Sequence, residues 1–377
     1  MSCRVTPLVE RKSPAFAQGN SMSFGPASAK AARKSGVSAA AELGGERRSR
    51  IALPFECHGR GVCRFPAPPM PSECHAMVDT QDNRVLVVGA TGQLGGVITS
   101  KLSAAGVPVR ALARRRDKLE ALAAPGVELA AIDLLDLAKL TEACRGISQI
   151  IATANNNMGK GATSPMRVDL AGYQNLCAAV RNTGVRRLLY VSFRGASPHG
   201  PVDIFRLKWH IEDVIRRSGV PHVILRPTAF MDVWIDQLIA DGIRKKGVAM
   251  LFGDGTGVAN YIAVEDVAEF AVKILGRDDV VNEIVDLGGP SDISYNDLTT
   301  LIERRLGAPG KRRHMPVVAL KLLPPLIKPF NEVAARMVSL GYFAATLSRP
   351  FPEWKVSADR FGVAPRTVEQ YVNALPR

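Results

Sequence analysis

The stretch VLVVGATGQLGG, at residues 85–96, constrains the fold more than any other part of the chain. It begins as an apolar, β-branched run of the kind found in buried strands, and it then breaks into glycines before residues suited to a helix. A buried strand that turns tightly into a helix is the opening of a βαβ unit. The stretch therefore predicts a parallel sheet with helices packed on its faces.

The same alternation of β-branched runs and amphipathic stretches continues along the chain. The predicted strands are 84–89, 107–113, 127–133, 148–154, 186–192 and 220–227. Strands joined by right-handed crossover helices form a doubly wound sheet whose ligand lies at the carboxyl ends of the strands. We therefore predict an α/β fold with a Rossmann-type doubly wound parallel sheet and a smaller lobe after it.

The glycines of the opening turn have the spacing of a dinucleotide-binding loop. Gly89 permits a tight exit from the strand, Gly92 lets the backbone approach a pyrophosphate, and Gly95 lets the helix pack against the strand. The free N–H groups at the start of the helix then face the phosphates. The predicted cofactor contacts in this turn are Gly89, Thr91, Gly92, Gln93, Leu94 and Gly95.

The end of the second strand predicts which dinucleotide is bound. An NAD site would place a carboxylate there to bind the ribose 2′-hydroxyl, but this chain has Ala113 followed by Arg114 and two further arginines. Guanidinium groups make charge-assisted hydrogen bonds to a 2′-phosphate. We expect NADP(H) rather than NAD(H), the alternative being a solvated basic helix start. Asp133, at the end of the third strand, is expected to contact the adenine edge or to cap the strand.

Five motifs in order carry a resemblance to a known family. They are GATGQLGG, the arginine after the second strand, AIDLLD, YVSFRGAS and ILRPTAF. With them the chain resembles the atypical short-chain dehydrogenase/reductases, in particular the NmrA-like and isoflavone-reductase-like group. The resemblance covers residues 84 to 290. It implies a Rossmann domain, a small C-terminal substrate lobe and NADP(H) as the usual cofactor.

The same resemblance identifies catalytic candidates. The active pattern of the superfamily is a Ser or Thr after the fifth strand and a Tyr-x-x-x-Lys on the next helix. Ser192 and Lys208 match it, but Ile204 stands at the tyrosine position and cannot transfer a proton. Isoflavone-reductase-like enzymes also lack the tyrosine, which makes Lys208, desolvated near the nicotinamide, the catalytic candidate. The alternative is an exposed lysine that pairs with Glu212 on the helix surface.

Other predicted contacts lie at strand ends. Pro227 and Phe230 are implied by the resemblance to shape the nicotinamide pocket, and Leu134 and Ala154 are expected at the cofactor as well. The asparagine run 155–157, beginning with Asn155, is expected at the nicotinamide ribose or the substrate, or is a polar loop. We expect no catalytic role for Tyr173, Tyr190 or His210, and mainly a structural role for Asp266.

Three regions are expected. Residues 1–80 lack a sustained period and predict a disordered leader, a transit segment or an extension before a true start at Met77. Residues 81–229 form the NAD(P)-binding core, and residues 230–377 form a substrate lobe interleaved with it plus a helical tail. The segment 317–330 predicts short helices broken by prolines, or a membrane-surface patch. We expect a cytoplasmic protein, or an organellar one if residues 1–76 are a transit peptide.

Charge and cysteines exclude other classes. The net charge of +14 suits an anionic partner, but no nucleic-acid-binding signature is present, and no apolar run reaches the ~18 residues of a membrane span. The cluster of Cys and His at 57–75 has no zinc spacing, so no metal is expected.

The predicted function is an atypical reductase that transfers hydride from NADP(H) to a small carbonyl or enone substrate. The alternatives are a dinucleotide-binding redox sensor, regulator or assembly factor that acts on a protein partner, and a sugar-nucleotide epimerase, which would need the missing tyrosine.

Overall fold

A sheet of parallel strands lies at the centre of the part of the chain that the structure describes. The computed structural model describes residues 83–156, 159–181, 183–346 and 348–376. Within these residues the main sheet has seven strands in the order β3-β2-β1-β4-β5-β6-β10, all parallel. They are β1 (Val85–Val88), β2 (Val109–Ala113), β3 (Val127–Ala131), β4 (Gln149–Ala152), β5 (Arg187–Val191), β6 (His222–Pro227) and β10 (Glu283–Leu287). The Rossmann-type prediction is confirmed, and the strand order reverses between β1 and β4.

Helices bury both faces of this sheet. The helices of this half of the chain are α1 (Gln93–Ala104), α2 (Arg116–Leu119), α3 (Leu137–Ala143), α4 (Pro165–Val180) and α5 (Asp203–Arg217). In β1, Val85 and Val87 join the core beneath α1, whereas Leu86 and Val88 join the core beneath α4 and α5. Successive side chains of a strand point to opposite faces, so an unbroken apolar strand is what a sheet covered on both sides requires.

The region after β6 combines a short strand with two kinds of helix. The structure has a short strand β7 (Ala229–Phe230), a π-helix (Asp232–Ala240) and then α6 (Asp241–Lys246). Met231, Ile235 and Ile239 are buried at intervals of four residues. A π-helix, with its i→i+5 bonds, has more residues per turn than an α-helix. Side chains four residues apart therefore stay on one side of it.

Two small sheets and a set of helices complete the described chain. Strand β9 pairs with β7 and β11, and β8 pairs with β12. Their bounds are β8 (Val248–Phe252), β9 (Val258–Ile262), β11 (Asp292–Ser294) and β12 (Lys311–Met315). The remaining helices are α7 (Val264–Leu275), α8 (Tyr295–Leu306), α9 (Val317–Ile327), α10 (Glu332–Thr346), α11 (Trp354–Phe361) and α12 (Val368–Ala374). Because β10 returns to the main sheet and α7 packs on α1, this half of the chain is interleaved with the first.

The structure has one continuous helix, α9, where the sequence predicts short helices broken by prolines. It runs through Pro324 and Pro325 to Ile327, although each proline removes a backbone donor. Helix α10 packs along α9, and that packing supplies stability which local propensity does not. In the part of the chain that the structure describes, no helix has both the length and the hydropathy to cross a membrane. The predictions for residues 1–80, including Met77, lie outside the described residues.

Candidate functional site

The glycine turn between β1 and α1 brings three pieces of backbone together. Gly89 has φ of +85°, and a Cβ atom there would lie 2.7 Å from the backbone of Ala154. A Cβ atom at Gly95 would lie 2.2 Å from the carbonyl oxygen of Gly89. Gly92 is the N-cap of α1, and no side chain hydrogen-bonds to the first turn. The uncapped N–H groups and the space left by the glycines fit a phosphate group.

A cavity of about 650 Å³ opens at the carboxyl ends of the central strands, next to this turn. Its volume lies within the range of cofactor and substrate pockets. The predicted residues that line it are Gly89, Thr91, Gly92, Gln93, Leu94, Gly95, Arg114, Asp133, Leu134, Ala154, Asn155, Ser192 and Lys208. Pro227 is not among the lining residues. It ends β6 opposite Leu287, and its carbonyl oxygen accepts a hydrogen bond from the backbone N–H of Arg194.

The three arginines after β2 have different surroundings. Arg115 forms a bidentate ion pair with Asp117, and Arg116 lies 3.9 Å from a carboxylate oxygen of Glu120. Arg114 is exposed and lines the cavity, and among the described residues no carboxylate lies within ion-pair distance of it. Arg114 is therefore the arginine placed to meet an anionic group in the cavity.

Asp133 and the asparagine run lie at the ends of β3 and β4. Oδ1 of Asp133 accepts a hydrogen bond from the backbone N–H of Leu135 at 2.9 Å, which fixes the turn after β3. Asn155 lines the cavity, and Asn156 donates its backbone N–H to a carboxylate oxygen of Asp169 at 2.9 Å. Asn157 lies outside the described residues. Contacts of Asp133 and Asn155 with a cofactor stay predictions.

Lys208 is buried at the inner end of the cavity. Its ammonium group donates to the carbonyl oxygen of Val191 at 3.1 Å, and Nζ lies 5.0 Å from the centre of the Tyr190 ring. Burial lowers the pKa of Lys208 to about 8, while the nearby carboxylates of Asp169 and Glu212 oppose the shift. The alternative of an exposed lysine that pairs with Glu212 is wrong.

Glu212 is buried and has other partners. Arg226 binds its carboxylate through Nε at 2.9 Å and through the terminal nitrogen at 2.5 Å. Ser192 donates its hydroxyl to the same carboxylate at 2.5 Å. A carboxylate only accepts hydrogen bonds, so the Ser192 proton points away from the cavity and its oxygen is left as an acceptor. Ile204, at the position of the missing tyrosine, also lines the cavity.

Asp169 is a site residue that the sequence analysis missed. It lies in α4, is buried, and lines the cavity. Burial raises its pKa, and the hydrogen bond from Asn156 and the charge of Lys208 oppose this rise. A signal was present in the sequence. Gly172 and Tyr173 follow Asp169 by three and four residues, so the three residues share one side of α4. A carboxylate on the apolar side of a helix is unusual.

The other side of the cavity is apolar and comes from the C-terminal half. Phe230, which was predicted, lines it together with Trp234 of the π-helix. Helix α10 contributes Met337, Leu340 and Gly341. Trp234 and the residues of α10 were missed because they are more than 100 positions from the glycine turn, and because apolar residues in a helix do not indicate a ligand site. The cavity thus has a polar end at the glycine turn and an apolar end under α10.

Two further predictions concern residues outside the cavity. Asp266 lies in the first turn of α7 and accepts a hydrogen bond from the backbone N–H of Arg366 at 3.0 Å, which ties the C-terminal segment to that helix. Among the described residues no group of three or more His, Cys, Asp or Glu is arranged to hold a metal ion. The Cys and His cluster at 57–75 lies outside the described residues.

Comparisons with known proteins agree with this geometry. The sequence profile of a family described as NAD(P)H-binding matches residues 89–278. A (4-alkanoyl-5-oxo-2,5-dihydrofuran-3-yl)methyl phosphate reductase of Streptomyces griseus is 30% identical over 287 residues, which cover 72% of this chain and 96% of the reductase. Photosystem II assembly factor Ycf39 of Synechocystis is 26% identical over 294 residues, which cover 77% of this chain and 89% of that factor.

A solved structure shows the same fold. The NADPH-dependent quinone oxidoreductase QOR2 of Escherichia coli, complexed with NADPH, has a TM-score of 0.64 and 21% identity, with 76% of this chain and 98% of that chain covered. The chain therefore belongs to the NAD(P)H-binding family. Within that family its relatives are the atypical short-chain dehydrogenase/reductases of the NmrA-like and isoflavone-reductase-like group, which confirms the resemblance.

Proposed function

We propose that the protein is an NADP(H)-dependent reductase that transfers hydride to a small carbonyl or enone substrate without a catalytic tyrosine. The observation that carries the proposal is the buried ammonium group of Lys208 in the cavity that begins at the glycine turn. A desolvated lysine with a pKa of about 8 exchanges a proton readily near neutral pH.

Arg114 supports NADP(H) over NAD(H). Its guanidinium lines the cavity without an ion-pair partner among the described residues, while Arg115 and Arg116 each have a carboxylate nearby. A 2′-phosphate would supply the missing anion through charge-assisted hydrogen bonds. At the other end of the site, the backbone N–H groups at the start of α1 would hold the pyrophosphate.

The residues around Lys208 perform the proton step. NADPH, when bound, supplies the hydride. The carbonyl of Val191 orients the Lys208 ammonium group, which donates one proton to the substrate atom that gains negative charge, and water restores it. The Asp169 carboxylate opposes the fall in the pKa of Lys208 and so favours the protonated lysine before transfer. The apolar surface of Trp234, Met337 and Leu340 excludes water from the substrate end.

The experiment is an acceptor screen with a matched variant. The full chain is incubated with NADPH and a panel of aldehydes, enones, quinones and azo dyes, and NADPH oxidation is followed by absorbance. Lys208→Met keeps the length and apolar character of the side chain while removing the proton donor. We expect it to reduce kcat by about 10²-fold or more, with less than about tenfold change in the Kd of NADPH.

A regulatory or assembly role is the second candidate. It is favoured by Ile204 at the tyrosine position and by the Ser192 hydroxyl donating to Glu212, which together remove two proton donors from the site. One relative is named as a photosystem II assembly factor. This candidate predicts that NADPH binds but that no acceptor of the panel is reduced, and that Lys208→Met leaves partner binding unchanged.

A further inference from the structure

Helix α9 carries an apolar ridge on its outer side. The ridge consists of Val318, Leu322 and Leu326 in α9 and Phe330 in the turn that follows, with 68%, 57%, 66% and 90% of their surfaces exposed. Intervals of four residues place helical side chains along one side of the helix. Single exposed apolar residues are normal on a protein surface, but a continuous row marks a contact site.

The segment that bears the ridge carries only cationic side chains. In the segment 317–330 the ionised side chains are Lys321 and Lys328, and both are exposed. Lys328 lies 3.7 Å from Asp203. Strand β12 leads into α9 with Lys311 and Arg313 exposed. For Lys311, Arg313 and Lys321, the described part of the chain supplies no ion-pair partner. The ridge is therefore flanked by cations that are available to an anionic surface.

The inner side of the same helix packs behind the cavity wall. Leu320 is buried, and its Cδ2 atom lies 3.2 Å from the position that a Cβ atom at Gly341 would take. Gly341 lines the cavity together with Met337 and Leu340 of α10. The pair α9 and α10 thus separates the cavity from the surface that bears the ridge.

We propose that the apolar ridge docks the protein on the surface of a lipid bilayer that contains anionic lipids, with α9 lying in the plane of the interface. A protein partner would need a groove to accept side chains that protrude as far as Phe330 does, whereas a bilayer accepts protruding apolar side chains without a preformed shape. The cations beside the ridge match the negative surface potential of anionic lipids. Helix α9, with 11 residues, would lie along about 16 Å of that surface.

Vesicle flotation of the full chain tests this proposal. Two vesicle compositions are compared, phosphatidylcholine alone and phosphatidylcholine with phosphatidylglycerol in equal parts, each at low and high salt. Val318→Asp places a charge in the ridge. Val356→Asp is the matched control, because Val356 is also 68% exposed and also lies in the first turn of a helix, α11. Unchanged unfolding midpoints show that both variants keep the fold.

We expect binding to the anionic vesicles that weakens with salt, a loss of about tenfold in affinity for Val318→Asp, and less than twofold for Val356→Asp. Lys321→Ala should weaken binding about fivefold on anionic vesicles and have no effect on neutral ones. Equal losses for the two valine variants, or no vesicle binding, would overturn the proposal. If Val318→Asp instead turns a dimer into a monomer in sedimentation, the ridge contacts a second copy of the chain.

Discussion

Arg114 and Arg115 are neighbours in the chain, but their side chains meet different surroundings. Arg114 lines the cavity, and Arg115 is held by Asp117 outside it. We expect Arg114→Ala to weaken the binding of NADPH by about tenfold to hundredfold and the binding of NADH by less than threefold. The reason is that the lost hydrogen bonds go to the 2′-phosphate, which NADH lacks. Isothermal titration with both nucleotides measures this.

Arg115→Ala is the matched control for that prediction. It removes the same charge from the adjacent position, so it should change both affinities by less than about threefold. If the two variants weaken NADPH binding equally, the net positive charge of this region accounts for the effect, and Arg114 does not bind the phosphate.

Lys208 gives the folding free energy a dependence on pH. Burial lowers its pKa from 10.5 to about 8 in the folded protein. Between these values the unfolded chain binds a proton that the folded chain does not, so the unfolding free energy contributed by this group rises with pH, by about 3 kcal/mol in total. Below pH 8 both states are protonated and this contribution is constant.

Urea unfolding of the wild type and Lys208→Met between neutral pH and pH 10.5 measures this contribution. Titrations of groups that do not interact with Lys208 are common to both proteins and cancel in the difference. From pH 8 upward, the unfolding free energy of the wild type should rise relative to that of the variant. Parallel curves would show that the lysine titrates normally and is not buried in solution.

At the residue level the sequence was informative where a residue type is unusual for its place. Glycines at 89, 92 and 95 and Arg114 could be found because strand ends and helix starts rarely need those residues for packing alone. Lys208 was found through the family resemblance. Pro227 was misplaced, since its position in β6 holds it against β10. Asp169 was missed although it shares a side of α4 with Gly172 and Tyr173, because that pattern alone does not show that the carboxylate faces a cavity.

Two neighbouring glycines of α1 have different surroundings. A Cβ atom at Gly95 would lie 2.2 Å from the Gly89 carbonyl oxygen, whereas one at Gly96 would lie 3.5 Å from the Ala90 carbonyl oxygen. We expect Gly95→Ala to lower the unfolding free energy by about 1–3 kcal/mol, because α1 must move away from the strand. Urea denaturation measures the loss.

Gly96→Ala is the control within the same helix. Its methyl group has ordinary van der Waals space, and alanine is the better helix former by about 0.8–1 kcal/mol, so this variant should be slightly stabilised. A Gly95→Ala protein as stable as Gly96→Ala would contradict the close packing of α1 on the glycine turn.

Elements were predictable where a single period dominates. Strands β1, β4 and β5 follow from runs that are buried on both faces. The π-helix after Met231 was not predictable as such, because a spacing of four residues also fits an α-helix. Strand β7 has two residues and forms through pairing with Tyr261 and Ile262, a contact that local sequence does not show.

At the scale of the whole molecule, the site joins distant parts of the chain. The glycine turn and the strand ends form the polar end of the cavity, while the π-helix and α10 form its apolar end. Sequence reasoning recovered the polar end, since its residues follow the repeated βα units. The apolar end depends on how the C-terminal half folds back over the sheet, which the looser pattern after residue 230 does not specify.

The most direct test of the central claim is the stability of the full chain with NADPH, NADP, NADH and NAD, measured by chemical or thermal unfolding. A nucleotide at ~100 times its Kd should raise the unfolding free energy by about 2.7 kcal/mol. We predict that NADPH and NADP stabilise the protein at concentrations where NADH and NAD do not. No stabilisation by any of the four would contradict the assignment of the cavity as a dinucleotide site, and equal stabilisation by all four would contradict the role of Arg114.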